Sequence, residues 1–169
     1  FRSRSDIWMM DRTENGWDKP VKMPETINSE YSEYFPTVAA NGNLYFTRED
    51  PDGNFIYQSK FENGQYLQPT RMPAVINSGR ARYNATISSN DSMLIVPTYG
   101  MPDSYGATDY YISFKNKNGG WSELINMGPQ INSASRDEYS ANWSPDGKYL
   151  FFMSSKVKKV DSPIIRFED

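Results

Sequence analysis

The chain repeats itself, and that constrains its fold more than any single motif. The triplet Ile-Asn-Ser occurs three times, at Ile27-Asn28-Ser29, Ile76-Asn77-Ser78 and Ile131-Asn132-Ser133, with spacings of 49 and 55 residues. An aromatic residue keeps the same two spacings upstream, at Trp17, Tyr66 and Trp121, and a proline stands shortly before each triplet, at Pro24, Pro73 and Pro129. Downstream, Tyr34, Tyr83 and Tyr139 each open an extended stretch. Eight residues past each Tyr comes a turn position (Gly42, Asp91, Gly147), and eleven past it an apolar one (Tyr45, Leu94, Leu150). A fixed period of this kind marks a unit that cannot bury its own faces and must stack against copies of itself.

Each period reads as four short strands, a to d. Strand a covers roughly 34–40, 83–89 and 139–144, and strand b 44–48, 93–98 and 149–154. Strand c covers 6–11, 55–61, 109–115 and 163–168, and strand d 17–23, 66–72 and 121–127. The clearest hairpin is Tyr139 to Ser155, where Ser144-Pro145-Asp146-Gly147 joins two apolar runs. Proline presets φ at the first turn position, Asp tolerates the next, and Gly takes the left-handed one. Aromatics make up 15% of the chain, and 11 Gly and 11 Pro punctuate it throughout, a mixture that favours many short strands over helices. Runs such as Phe151-Phe152 and Met9-Met10 fit sheets covered on both faces. Four-stranded units at a period of about fifty residues are the signature of an all-β fold, the β-propeller of four-stranded antiparallel blades. The propeller is incomplete here. The segment 1–169 holds two whole blades, 34–73 and 83–127, strands c and d of a partial blade (1–23), and strands a to c of another (139–169).

The stretch Tyr139-Ser140-Ala141-Asn142-Trp143-Ser144-Pro145-Asp146-Gly147-Lys148-Tyr149-Leu150-Phe151-Phe152 resembles the PD40 (WD40-like, TolB-type) propeller repeat. Gly120-Trp121-Ser122-Glu123-Leu124-Ile125-Asn126-Met127-Gly128-Pro129-Gln130-Ile131-Asn132-Ser133 resembles the segment that precedes it in bacterial members. The resemblance covers nearly all of the chain. It is strongest in the last repeat, weaker in the first, where Asn41-Gly42 replaces Pro-Asp-Gly, and weakest in the middle, where Asn90-Asp91 lacks both Pro and Gly. It implies a bacterial cell-envelope setting, periplasmic or at the cell surface, often within a lipoprotein and sometimes beside an OmpA-like peptidoglycan-binding domain. Relatives of the repeat also occur as accessory propellers of serine peptidases and in polysaccharide lyases. Six blades, common among TolB-like relatives, need roughly 300 residues at this period. Open sheet edges are avoided, so the remaining blades are expected from the same parent chain or from another chain. The first residue is Phe1 rather than Met, as in a piece of something longer.

Composition narrows the function. A net charge of −3 and a pI near 5.1 argue against a general nucleic-acid binder, which needs a basic face. No run of eighteen apolar residues could span a membrane. The chain has no Cys and no His, which removes thiol nucleophiles, disulfides, the commonest metal ligand and the Ser-His-Asp triad. No P-loop, nucleophile elbow, HExxH or dinucleotide fingerprint occurs, and no cofactor or metal is expected. Asp50-Pro51-Asp52-Gly53-Asn54 lacks the distal Glu of a calcium loop and reads as an ordinary turn, as does Asp11 to Gly16. The Ile-Asn-Ser triplets read as structural, with Ile filling the space between blades and Asn and Ser closing local turn hydrogen bonds. Lys156, Lys158 and Lys159 read as a solvated loop.

Loop lengths point to one face. The a–b and c–d turns are tight, whereas the d–a connections (24–33, 73–82, 128–138) and the b–c connection 99–108 are long and emerge together. Where that face meets the innermost strands stand Glu33, Tyr34, Arg82, Tyr83, Glu138 and Tyr139, with Arg48, Arg80, Tyr105 and Arg136 close by. A mixed set of Glu, Arg and Tyr suits a polar ligand, a carbohydrate or a peptide end. The same residues equally suit packing between blades and a solvated rim. The expected role is a non-catalytic recognition or scaffold module that binds a protein, peptide or glycan partner. The alternative is a propeller hydrolase or lyase acting on glycans with acidic, Arg and Tyr residues at the channel mouth.

Overall fold

A computed structural model describes residues 4–134 and 138–155. Every regular element among them is a β-strand, and all pairings are antiparallel. No helix among the described residues is long and apolar enough to cross a membrane.

The chain builds four sheets in order. In the first, β1 (Trp8–Met9) pairs with β4 (Val21–Lys22), capped by the hairpin of β2 (Arg12–Thr13) and β3 (Gly16–Trp17). The second has four strands in the order β10-β7-β6-β5, with β5 at Ser32–Val38, β6 at Leu44–Asp50, β7 at Gly53–Ser59 and β10 at Thr70–Arg71. Between the last two, β8 (Phe61–Glu62) and β9 (Gln65–Tyr66) form the c–d hairpin. In the third sheet the first strand is split into β11 (Ala81–Arg82) and β12 (Thr86–Ile87). Both halves pair with β13 (Met93–Tyr99), which is followed by β14 (Thr108–Phe114) and β15 (Ile125–Asn126). The fourth pairs β16 (Ala141–Trp143) with β17 (Leu150–Phe152). The expected strand at 163–168 and the lysines 156, 158 and 159 lie outside the described residues.

A core fills each junction between consecutive sheets. Ile7, Met23 and Ile27 meet Leu44 and Phe46. Tyr45, Ile56, Met72 and Ile76 meet Leu94 and Val96. Ile95, Tyr110 and Ile131 meet Ala141, Trp143 and Leu150. Alternation along the second strand explains this, since Leu44 and Phe46 face the preceding sheet while Tyr45 faces the following one. The first strands also touch, with β12 lying against β5 on one side and β16 on the other. Where the array stops, residues in core positions are bare. Trp8 is 56% and Trp17 64% exposed, although their counterparts Tyr57, Tyr66 and Trp121 pack against a preceding sheet. Phe151, in the register of Tyr45 and Ile95, is 64% exposed.

Two readings of the repeat need correction. The strand pairs Val38–Leu44, Ile87–Leu94 and Trp143–Leu150 are equivalent, so Leu44, and not Tyr45, corresponds to Leu94 and Leu150. The slip arises because the a–b turn of the third sheet carries one residue more than that of the second. The Asn of each triplet does not close a local turn either. The N–H of Ile7 donates to Asn28 Oδ1 at 2.8 Å, and Asn28 Nδ2 donates to the carbonyls of Ile7 (3.0 Å) and Met23 (2.9 Å). Asn77 repeats the pattern on Ile56 and Met72, with the N–H of Ile56 donating to its Oδ1 at 2.8 Å. Asn132 accepts from the Tyr110 N–H at 2.8 Å and donates to the Tyr110 carbonyl. Ile7, Ile56 and Tyr110 lie 21 or 22 residues back, and Met23 and Met72 lie 5 back. At those points Met23 N–H bonds directly to Ile7, Met72 N–H to Ile56 and Met127 N–H to Tyr110. The return bond is replaced by a side-chain amide spliced between strands c and d. The Ile of each triplet does fill a junction, with Ile27 and Ile76 fully buried.

Candidate functional site

The first strand of the second, third and fourth sheets carries a kink that sets the site. Phe35 (φ 53°), Asn84 (φ 51°) and Ser140 (φ 71°) are equivalent, and all three adopt the left-handed region that non-glycine residues seldom enter. In the second sheet the kink coincides with a register break between Tyr34 and Thr37. It separates a core segment below from a polar segment above, at the end where the long connections emerge.

Above the kink, one position on strand a faces one on strand b in each sheet: Glu33 opposite Arg48, Arg82 opposite Thr98, and Glu138 level with Ser154. All lie between sheets. Glu33 and Glu138 have no exposed surface and Arg82 is 6% exposed, so they are interface residues in this array and not an open ring. Glu33 Oε1 accepts from Arg48 Nε at 2.7 Å and from the Ser29 hydroxyl, while Arg48 also donates to the Ile27 carbonyl at 2.9 Å. The Arg48 guanidinium lies 4.6 Å from the Tyr57 ring centroid. Glu138 Oε1 accepts from the hydroxyls of Ser133 and Ser154. One carboxylate oxygen of each, Glu33 Oε2 and Glu138 Oε2, is buried without a partner.

The tyrosines beside them are partly buried. Burial, with the charge of Glu49 and the neighbouring Tyr83 adding to it, pushes the Tyr34 hydroxyl up to about 12. Tyr83 shares a 2.9 Å hydrogen bond with the Thr108 hydroxyl. Tyr139 is half-buried and Arg80 exposed. Tyr105 stands out at 49% exposed, on the connection between β13 and β14. That connection is held by the buried Asp109, whose carboxylate accepts from the N–H groups of Tyr105 (2.7 Å) and Gly106 (3.1 Å) and from Asn126 Nδ2 (2.9 Å). The structure therefore brings Glu33 and Arg48 together at one junction and sets Arg82 on Phe55 at the next, while Tyr34 neighbours Glu49 and Tyr83. Arg136 lies outside the described residues.

Sequence reading missed four participants. Phe55 takes both Arg71 and Arg82 against its ring, with guanidinium carbons 3.8 and 3.9 Å from the centroid. Arg71 is bound to Asp50 at 2.6 Å, and Asp50 also accepts from the Tyr57 hydroxyl at 2.8 Å. Burial alone would raise Asp50, but the bonds from Tyr57 and Arg71 outweigh it and hold the carboxyl below its ordinary value. The 50–54 segment is thus a turn committed to Arg71. Among the described residues no group of three His, Cys, Asp or Glu side chains is placed to hold a metal ion. The fourth is Asp91, at the tight-turn end. It accepts from Tyr45 (2.6 Å), Lys115 (2.7 Å), Asn41 (2.9 Å) and Asn43 (3.0 Å) and so binds two sheets. The missing Pro and Gly of its turn were the one signal that something else was at work there.

A cleft of about 390 Å3 opens on the tight-turn face, lined by Met93, Trp143 and Pro145 among others. The Asp146 carboxylate on its wall is turned into its own loop by Ser144 (2.6 Å) and the Lys148 N–H (3.1 Å). The long-loop end offers more unsatisfied polar chemistry.

No protein-family model matches the chain, and a search of curated proteins finds no match either.

Proposed function

We propose that this chain forms part of a PD40-type (WD40-like, TolB-type) β-propeller that acts as a recognition or scaffold module of the bacterial cell envelope, periplasmic or at the cell surface. It binds a protein, peptide or glycan partner through the long-loop face and performs no chemistry of its own. The observation that carries the reading is the end where the long connections emerge. It exposes Arg80 and Tyr105 above junctions filled by apolar side chains. A constant scaffold with a variable polar end is what a recognition surface requires. The exposed Trp8, Trp17 and Phe151 support further blades, from the same parent chain or another chain, over the open faces.

The test is binding of the purified intact protein to arrays of envelope peptides and glycans, repeated with Tyr105→Ala. Tyr105 is exposed and supports no core, so the variant keeps its fold and loses about tenfold in affinity. Turnover of a glycan or peptide by the intact protein would overturn the non-catalytic reading. Unchanged binding by Tyr105→Ala and by Arg80→Ala would remove the long-loop face from it.

A further inference from the structure

Among the described residues Arg82 is a buried guanidinium without a counter-ion. The residue is 6% exposed, its Nε is buried and has no acceptor there, and its one hydrogen bond among them is a long 3.4 Å contact to the Gly79 carbonyl. The corresponding arginine-bearing junction one sheet earlier pairs Arg48 with Glu33 at 2.7 Å. At Arg82 the opposite residue is Thr98, which donates to the Val96 carbonyl instead. Beneath Arg82 lies Phe55, and on the same ring lies a second cation, Arg71. Asp50 acts on it electrostatically, but its carboxylate is taken by Arg71 and Tyr57. Burial disfavours the charged form of Arg82, the positive charge of Arg71 disfavours it further, and Asp50 offsets only part of this. Arg80, two residues earlier and just before β11, is exposed and packs its chain over Gly100. A Cβ at Gly100 would come within 2.7 Å of Arg80 Cγ, so the glycine leaves the arginine its place.

We propose that Arg82, with Arg80 beside it, is an anion site at the junction of β11 and β7, and that it takes a carboxylate group of the bound partner. Uncompensated guanidinium groups in a low-dielectric junction are costly. A carboxylate supplies the planar acceptor pair that matches the guanidinium fork. Phe55 fixes the plane of the arginine so that little is lost in ordering it when the anion arrives. The inference rests on the long-loop face being the binding face, and it names the chemistry that this face selects.

The test is a calorimetric titration of the intact protein with succinate, and in separate runs with phosphate and with chloride at matched ionic strength. Succinate is expected to bind saturably and more tightly than phosphate, with chloride silent. Arg82→Met keeps the stem over Phe55 and removes the fork, so affinity falls about tenfold or more. Should that variant fail to give a cooperative thermal transition, Arg82→Lys keeps the charge, and its loss of affinity must still be about tenfold, because a point charge does not replace the fork. Absence of saturable succinate binding, or equal binding by wild type and the Arg82 variants, overturns the proposal. Phosphate binding more tightly than succinate overturns the assignment to a carboxylate. Partner binding that depends on Tyr105 but not on Arg82 would sink this site and leave the long-loop face standing.

Discussion

Replacing Asn77 by alanine should remove more stability than any surface substitution in the chain. The side-chain amide accepts from the Ile56 N–H and donates to the Met72 and Ile56 carbonyls, at 2.8, 2.8 and 3.1 Å. The Ile56 carbonyl keeps its bond from the Met72 N–H at 2.9 Å, so two backbone groups are orphaned, the Ile56 N–H and the Met72 carbonyl. Ile56 is fully buried and Met72 is 4% exposed, which leaves little room for water to replace the amide. At roughly 1–3 kcal/mol for each unsatisfied buried group, the loss is about 2–6 kcal/mol. That is a large share of the roughly 5–15 kcal/mol that holds a domain together. Urea unfolding followed by tryptophan fluorescence measures it as a fall in the midpoint at constant slope. Asn77→Asp separates the two halves of the splice. It keeps an acceptor for the Ile56 N–H, loses the donor to Met72, and recovers part of the loss below about pH 4, where a protonated carboxyl can donate again. A loss under about 1 kcal/mol for Asn77→Ala would refute the splice, because it would mean that the two groups find other partners at no cost.

Three further outcomes follow from the same geometry. Arg48→Met leaves Glu33 buried without its 2.7 Å partner and should cost about 3–5 kcal/mol, whereas the double variant Arg48→Met, Glu33→Leu should recover most of it; a double-mutant cycle in urea reads both. Burial would raise Asp91, but the bonds from Lys115, Tyr45, Asn41 and Asn43 prevail and hold it below its ordinary value. Its contribution is therefore complete above the unfolded carboxyl range, near pH 4, and is lost as pH falls through the lower folded value. Asp91→Asn should flatten the acid limb of a stability-against-pH curve, and an unchanged limb counts against the assignment. Tyr34, held up to about 12 as Tyr110 is, should titrate late by ultraviolet difference absorbance, and a Tyr34→Phe variant should shrink that late step by one tyrosine; an unchanged amplitude counts against the assignment.

The repeat was legible because its period rests on side chains whose role is the same in every copy. Ile27 and Ile76 fill junctions, and the aromatic residues at 66 and 121 pack on the preceding sheet, so their spacing reports the sheets directly. The register of strand b was misread by one residue in the first copy because turn length, and not composition, decides it. Asn41-Gly42-Asn43 and Ser88 to Ser92 close their hairpins around different polar networks. The left-handed residue of strand a was not read from the sequence. Asn84 is of a type that tolerates that conformation, but Phe35 occupies it with a side chain that gives no sign of it. Glu33 and Glu138 were expected at a channel mouth and are fully buried, because nothing in a sequence tells a rim carboxylate from one sealed between sheets. That difference comes from the neighbouring sheet, as does the pairing of Phe55 with two arginines drawn from different strands.

The amide splice also shifts where one unit ends and the next begins. Strands c and d pair directly, yet the return bond at the end of that pairing is supplied only when the Asn of the following connection reaches back 21 or 22 residues. On a chain leaving the ribosome, a sheet is therefore finished by the first residues of its successor, and each unit waits about one connection length for its fastening. A cut placed after strand d would release a sheet with an open seam. A cut placed after Ser29, Ser78 or Ser133 carries the fastening with it, and that is the frame in which these repeats could be moved, counted or joined to other sheets.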